Sequence, residues 1–222
     1  MFSGTHSVGK VCDELGWAYT SLDVDGNADI NCDVMVWDYT ELAPDSFDVV
    51  WCSPPCNTFS KIRNSWIGRV YPKQFNGQKI TKALLYEDIR EKGLPLLEKV
   101  LDIIFYFQPK YYFIENPSTS KMKEYLKLPY FEVDYCMYSD WGYQKRTRIW
   151  SNLSGFNNKL CDRQCGNMST EGNGRSHRVH IGVNFRGTLQ DKYRVPHQLI
   201  LDMFTTLRSI STLKTINHIH VN

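Results

Sequence analysis

Two short apolar runs, FDVVWC at 47–52 and KYYFIENP at 110–117, flank one long amphipathic stretch, and this alternation constrains the chain more than any other feature. Each run stops abruptly at proline or polar residues, as strands buried on both faces do. The stretch between them, GLPLLEKVLDIIFYF, sets Leu94, Leu97, Leu101, Ile104 and Phe105 on one helical face, with Pro95 near its start, where a missing N–H costs nothing. Strand, helix and strand in that order predict a parallel sheet covered on both faces.

The flanking sequence extends the pattern. Val8, Val11, Cys12 and Leu15 repeat helically before Gly16, which predicts a helix over 7–15. AYTSLDVDG and a shorter piece near INCDV read as further strands. Beyond residue 128, FEVDYCMYS and RTRIWSNL, joined by DWGYQK, predict a hairpin that closes one sheet edge. Residues 155–190 are rich in Gly, Asn, Ser and Arg without a period and read as a loop-rich insertion. Behind Pro196, the spacing of Ile200, Met203, Phe204 and Leu207 predicts a last helix. The expected fold class is α/β, a doubly wound and mostly parallel sheet with an antiparallel hairpin at one edge. Its expected organisation is a core over 1–153, an insertion over 154–190 that is a possible target-recognition element, and a C-terminal helix and tail over 191–222 packing on that core.

Composition excludes several classes. Seven cysteines, an odd number with no leader-like start, argue against a disulfide framework and for a reducing, intracellular setting, nuclear or cytoplasmic. The longest apolar stretch, VLDIIFYF, is interrupted by Asp102, so no membrane span is expected. Net charge is only +2, but residues 57–86 contain no acid. There Lys61, Arg63, Arg69, Lys73, Lys79 and Lys82 are interleaved with Phe59, Trp66, Tyr71 and Phe75. That is a footprint for a polyanion with stacking faces, or else a solvated loop.

In parallel sheets ligands collect beyond the carboxyl ends of the strands. Asp23, Asp25, Asp33, Cys56 and Glu115 all fall there. Cys56 follows a strand and two prolines that stiffen its backbone, which suits a nucleophile; a buried structural thiol is the alternative. Glu115 ends the next long strand, where its carboxyl can hydrogen-bond or protonate whatever the thiolate attacks, or cap the segment that follows. Gln144, Arg146 and Arg148 alternate, so they share one face and suit an anionic or carbonyl-rich ligand, or structural ion pairs. FSGTHSVG places Gly4 and Gly9 around a turn into a helix, and Asp23 follows about 20 residues later, where an acid takes ribose hydroxyls; together they suggest a nucleoside-bearing cofactor.

Taken in order, FSGTHSVGK, SLDVDG, CDVMVWDY, FDVVWCSPPCNTFS, FIENPSTS and GYQKRTRIW resemble the motifs of cytosine-5 DNA methyltransferases, above all the small single-domain enzymes of large DNA viruses and phages. The resemblance covers about residues 1–153 plus YRVPHQL. It implies the S-adenosylmethionine-dependent, Rossmann-like fold, with double-stranded DNA as partner and a monomeric enzyme. By resemblance, Phe2, Ser3, Gly4, Thr5, Ser7, Val8, Gly9 and Pro54 surround S-adenosylmethionine, Asp23 takes its ribose, Val24 packs on the adenine and Asp33 meets the adenine amino group. Pro55 and Cys56 match the nucleophile motif, Glu115 the group at cytosine N3, and Arg146 and Arg148 the groups that orient base and phosphate. Ser60, Lys61, Arg63, Arg69 and Gln144 are the expected DNA contacts; Arg175, Arg178, Arg186, Lys192 and Arg194, with His177 and His180, are further candidate phosphate contacts or else scattered solvated charges.

Three features stand outside that pattern. Only Met1 precedes Phe2, where the family has a hydrophobic central strand, so the first strand is expected to be truncated, and INHIHVN at the end has no counterpart. Cys161, Cys165, His177 and His180 form a CxxxC and HxxH pair that suggests a zinc clip. The rival functions are an RNA cytosine-5 methyltransferase acting on transfer RNA, whose Cys-Phe-Thr signature is missing here, and an inactive DNA-binding relative.

Overall fold

The computed structural model describes residues 1–71, 73, 75–171, 176–181, 183–210 and 217–220. Arg175, expected as a phosphate ligand, lies outside them. In chain order the elements are α1 (Ser7–Leu15), β1 (Ala18–Asp23), β2 (Ile30–Asn31), β3 (Val49–Cys52), α2 (Lys82–Asp88), α3 (Leu94–Phe107), β4 (Tyr111–Pro117), β5 (Tyr130–Asp134), β6 (Arg146–Ser151), α4 (Leu189–Tyr193), α5 (His197–Ile210) and β7 (Asn217–His220). They build a mixed α/β domain around a seven-stranded sheet in the order β2-β1-β7-β3-β4-β6-β5. The first five strands are parallel, and β6 runs antiparallel to both β4 and β5, forming the expected edge hairpin.

The core follows the apolar pattern. All four residues of β3 are buried, and Trp51 stacks on Phe113 of β4 with ring centroids 5.2 Å apart. Both rings meet Phe204 of α5, which also stacks on Trp17 just beyond α1. The buried side of α3 is Leu97, Val100, Ile103 and Phe107. This corrects the expected face: Phe105 is 79% exposed, while Leu94, Leu101 and Ile104 only flank the buried stripe. Stepping by three and four from Leu97 keeps to one side of the helix, and Phe105 lies a half-turn away from that line.

The centre of the sheet is filled from both ends of the chain. β7 lies between β1 and β3, parallel to each, opposite Ala18–Ser21 on one side and Val49–Val50 on the other. Above it the N-terminus continues the same slot: the Met1 amino group donates to Trp51 O at 3.3 Å and Phe2 N donates to Leu22 O at 2.7 Å. Met1 is buried, and desolvation holds its amino pKa well below the ordinary value. An empty slot would leave two rows of ladder groups without partners at the centre of the sheet.

The insertion carries little regular structure among the described residues, but it is tied to the β5 edge. Asn158 Nδ2 donates to Glu132 O, and Asp134 N donates to Lys159 O. Asn167 Nδ2 donates to Cys136 O and Ser139 O, while its Oδ1 accepts from Gly142 N.

Candidate active site

Beyond β3 the chain turns through Ser53, Pro54 and Pro55 to Cys56, and neighbouring elements hold this turn from several directions. The Trp51 indole donates to Ser53 Oγ at 3.1 Å, and Asn116 Nδ2, at the end of β4, donates to Pro54 O at 2.8 Å. On the far side, Arg63 donates to Thr58 O and Lys121 N to Phe59 O. Gly93 ends a five-residue π-helical turn, Ile89–Gly93, between α2 and α3. A Cβ there would lie 2.9 Å from the Phe59 ring and 3.0 Å from Thr58 Oγ1, so only glycine admits this approach. The thiol therefore sits on a backbone fixed by proline, hydrogen bonds and close packing.

Glu115 is buried near the end of β4, and Tyr135 donates its phenol to Glu115 Oε1 at 2.9 Å. Burial pushes the Cys56 thiol pKa up, the Glu115 charge adds to that, and Lys145 opposes it. Lys145 Nζ donates to Lys192 O at 3.0 Å and lies 4.8 Å from the Tyr135 ring centre. Tyr193, one residue beyond Lys192, is raised in pKa by burial and then by the charge of Cys56. A thiol, a carboxyl, a phenol and an ammonium thus gather at the carboxyl ends of β3 and β4. Such a set can add a sulfur nucleophile to an electron-poor carbon while a carboxyl holds a neighbouring nitrogen.

The two arginines of β6 are not brought to Cys56. Successive strand residues face opposite ways: Glu115 is opposite Ile149, whereas Arg148 is opposite Asn116 and Glu132. Arg148 pairs with Glu132, and its guanidinium lies 4.3 Å from the Tyr130 ring centre in a groove also lined by Lys123, Lys127 and Trp150. Arg146 makes a two-pronged contact with Asp134, through Nε at 3.1 Å and a terminal nitrogen at 2.7 Å. Gln144 is exposed. The cation that faces the thiol is Lys145, which the sequence reading passed over because it counted only alternate residues. Tyr135 was also missed, because FEVDYCMYS reads as one strand, whereas a 3₁₀ turn over Tyr135–Met137 breaks it and swings the phenol inward.

At the other end of the site Gly4 is exposed, and a Cβ on it would touch Asp23 Oδ2 at 3.9 Å, so backbone and carboxylate lie side by side at the surface. Asp23 Oδ1 accepts from Asp25 N, and Val24 is 70% exposed. Ser3 Oγ is buried without a hydrogen-bond partner. Asp33 is exposed and accepts from Met35 N at 2.9 Å. Thr5 Oγ1 lies 2.8 Å from Ser7 Oγ, and Ser7 Oγ accepts from Val195 N, tying the YRVPHQL segment to the start of α1. Val8 is a core residue, and a Cβ on Gly9 would sit 2.9 Å from the Tyr19 ring, so these two serve the contact of α1 with β1.

The basic segment divides. Arg63 is 7% exposed, donates to Asp88 at 2.6 Å and stacks near Trp66 and Phe75, so its charge is spent inside the protein. Lys61, Arg69, Lys73, Lys79 and Lys82 are exposed, and Ser60 is half-buried.

No protein-family model matches the chain. It is 46% identical over 214 aligned residues to a frog virus 3 (isolate Goorha) protein named "Probable DNA (cytosine-5)-methyltransferase", a match that covers 91% of this chain and 96% of that one. Among the described residues, no helix is long and apolar enough to cross a membrane.

Proposed function

The chain belongs to the DNA (cytosine-5)-methyltransferase family, and from that premise we propose that it methylates C5 of cytosine in double-stranded DNA, with S-adenosylmethionine as donor and a covalent adduct at Cys56. The observation that carries this reading is the buried Tyr135–Glu115 pair beside the Cys56 turn, joined to it by the Asn116–Pro54 hydrogen bond.

S-adenosylmethionine, when bound, supplies an electrophilic methyl group. The residues at the head of the sheet suit it: the partnerless Ser3 Oγ, the Asp23 carboxylate beside the exposed Gly4, and the exposed apolar Val24 match a polar tail, a ribose and an adenine face in turn. A base inside a duplex cannot reach a thiol set this deep, so the cytosine must be flipped out of the stack. Cys56 sulfur then bonds to C6 while Glu115 holds or protonates N3, and the electron pair released from the C5–C6 double bond makes C5 nucleophilic. After methylation at C5, solvent water takes the C5 proton, the C5–C6 double bond re-forms and the Cys56 thiolate is expelled. Lys145 stabilises that thiolate. Arg146 and Arg148 act as positioning residues through Asp134 and Glu132.

The surrounding parts divide as a doubly wound, Rossmann-like catalytic core over 1–153, a recognition element over 154–190 and a closing helix and tail over 191–222, working as a monomer inside the cell. The exposed Lys61, Arg69, Lys73, Lys79 and Lys82 next to Cys56 supply phosphate contacts, and the short insertion implies a short target sequence. The test is transfer of labelled methyl from S-adenosylmethionine to unmethylated duplex DNA and, in parallel, to transfer RNA. Label in DNA that vanishes with Cys56→Ala is expected; label confined to RNA would move the substrate, and none in either would leave a binding protein.

A further inference from the structure

Far from the nucleophile, four potential metal ligands converge where the insertion meets the sheet edge. Cys136, Cys161, Cys165 and His177 place one ligand atom each within 4.8 Å of all the others. His177 Nε2 lies 3.6 Å from Cys161 Sγ and 3.4 Å from Cys165 Sγ. Tetrahedral zinc, with Zn–S of about 2.3 Å and Zn–N of about 2.0–2.1 Å, requires a sulfur–nitrogen edge of about 3.5 Å. The two sulfur–nitrogen separations found match that edge, and the remaining ligand atoms lie within 4.8 Å of one another. Of the four residues that the sequence singled out, His180 is exposed and stands outside the cluster; Cys136, from the 3₁₀ turn after β5, takes its place.

The surroundings are built as a metal knuckle is. Arg163 N donates to Cys161 Sγ at 3.3 Å, and Arg163 takes a left-handed backbone, φ 69°, to do so; N–H donors aimed at sulfur stabilise thiolates. Met168 and His177 form a bridge that folds the imidazole back over the CxxxC turn, and His177 is 7% exposed. All three cysteines are free.

We propose that this cluster binds one structural Zn²⁺, independently of the methyl-transfer reading. The three thiols release their protons to solvent as the ion binds, leaving a closed four-ligand shell with no open position for catalysis. The ion would staple an insertion that has little regular structure to the β5 edge. It would also reach the start of β6, because Cys161 N donates to Asp134 Oδ2 at 2.7 Å and Asp134 in turn holds Arg146.

The test uses the full chain. After metal removal, titration with Co²⁺ should give the intense visible bands of a tetrahedral thiolate complex, saturating at about one ion per chain and abolished by equimolar Zn²⁺. Cys136→Ser and His177→Ala should lose those bands, while His180→Ala and Cys32→Ser keep them. Because the first two variants could fail to fold, thiol alkylation of the wild-type chain with and without Zn²⁺, read by peptide mass spectrometry, provides a second measurement. Protection confined to Cys136, Cys161 and Cys165 supports the site. A weak octahedral spectrum, no protection, a Cys161–Cys165 disulfide in the freshly purified protein, or bands retained by folded Cys136→Ser would each overturn it.

Discussion

Tyr135 donates its phenol to Glu115 Oε1 at 2.9 Å, and both groups are buried. One carboxylate oxygen is thereby fixed, leaving the other to face a base nitrogen. Tyr135→Phe should lower kcat by about tenfold with little change in KM for DNA, since it loosens the carboxyl without touching the duplex, whereas Glu115→Gln should cost about 10²–10⁴-fold. Steady-state kinetics on both variants separate positioning from chemistry. A rise in KM alone would show that Tyr135 contacts substrate instead.

The surroundings of Cys56 disfavour its thiolate. Burial and the Glu115 charge both oppose the thiolate, so its pKa lies above that of an ordinary thiol, while Lys145 and a backbone hydrogen bond pull it down. The reactive form therefore grows as pH rises. Alkylation of Cys56 by a neutral reagent should accelerate with pH toward a midpoint above that of a free cysteine, and Lys145→Met should move that midpoint higher still. Each further pH unit of displacement slows the reaction at neutral pH about tenfold.

Arg63 distinguishes a structural cation from a DNA contact. Its buried pair with Asp88 and its bond to Thr58 O hold the segment behind Cys56. Arg63→Ala strands the Asp88 carboxylate with only the exposed Lys92 for a partner, and should cost about 3–5 kcal/mol of stability. Lys61→Ala and Arg69→Ala should leave thermal unfolding unchanged but reduce the salt slope of DNA binding by about one each. A stable Arg63→Ala protein with weakened DNA binding would reverse the assignment.

β7 makes a prediction of its own. Deleting residues 211–222 removes the strand that pairs with Ala18–Ser21 and Val49–Val50. Hydrogen exchange at the facing β1 and β3 amides should speed up by orders of magnitude, and the melting temperature should fall. Unchanged protection at those amides would place β7 elsewhere.

Much of this was legible in the sequence. The apolar runs ending at Cys52 and Pro117, the crossover helix, the edge hairpin and the α1 and α5 stripes all follow from burial, which writes its period directly into the residues. What stayed hidden depends on pairs distant in sequence. INHIHVN has too weak an alternation to announce a central strand, and only the gap between β1 and β3 gives it a role. Arg63 looks like the lysines around it until Asp88 is placed at 2.6 Å. Cys136 sits within an apparent strand, so its partnership with Cys161, Cys165 and His177 emerges only when the insertion folds back. Arg148 and Glu115 belong to neighbouring strands, and a one-residue offset in register decides that they face opposite ways.

The central claim, attack by Cys56 on cytosine C6, is tested most directly with duplex DNA carrying 5-fluorocytosine at target sites. After methyl transfer the fluorine on C5 cannot leave as the proton does, so the adduct stalls. With S-adenosylmethionine present, the account predicts a protein–DNA complex that survives denaturation, with peptide mapping that places the base on Cys56 and no complex from Cys56→Ser. A crosslink mapped to another residue, or methyl transfer to ordinary cytosine by Cys56→Ser, would contradict it.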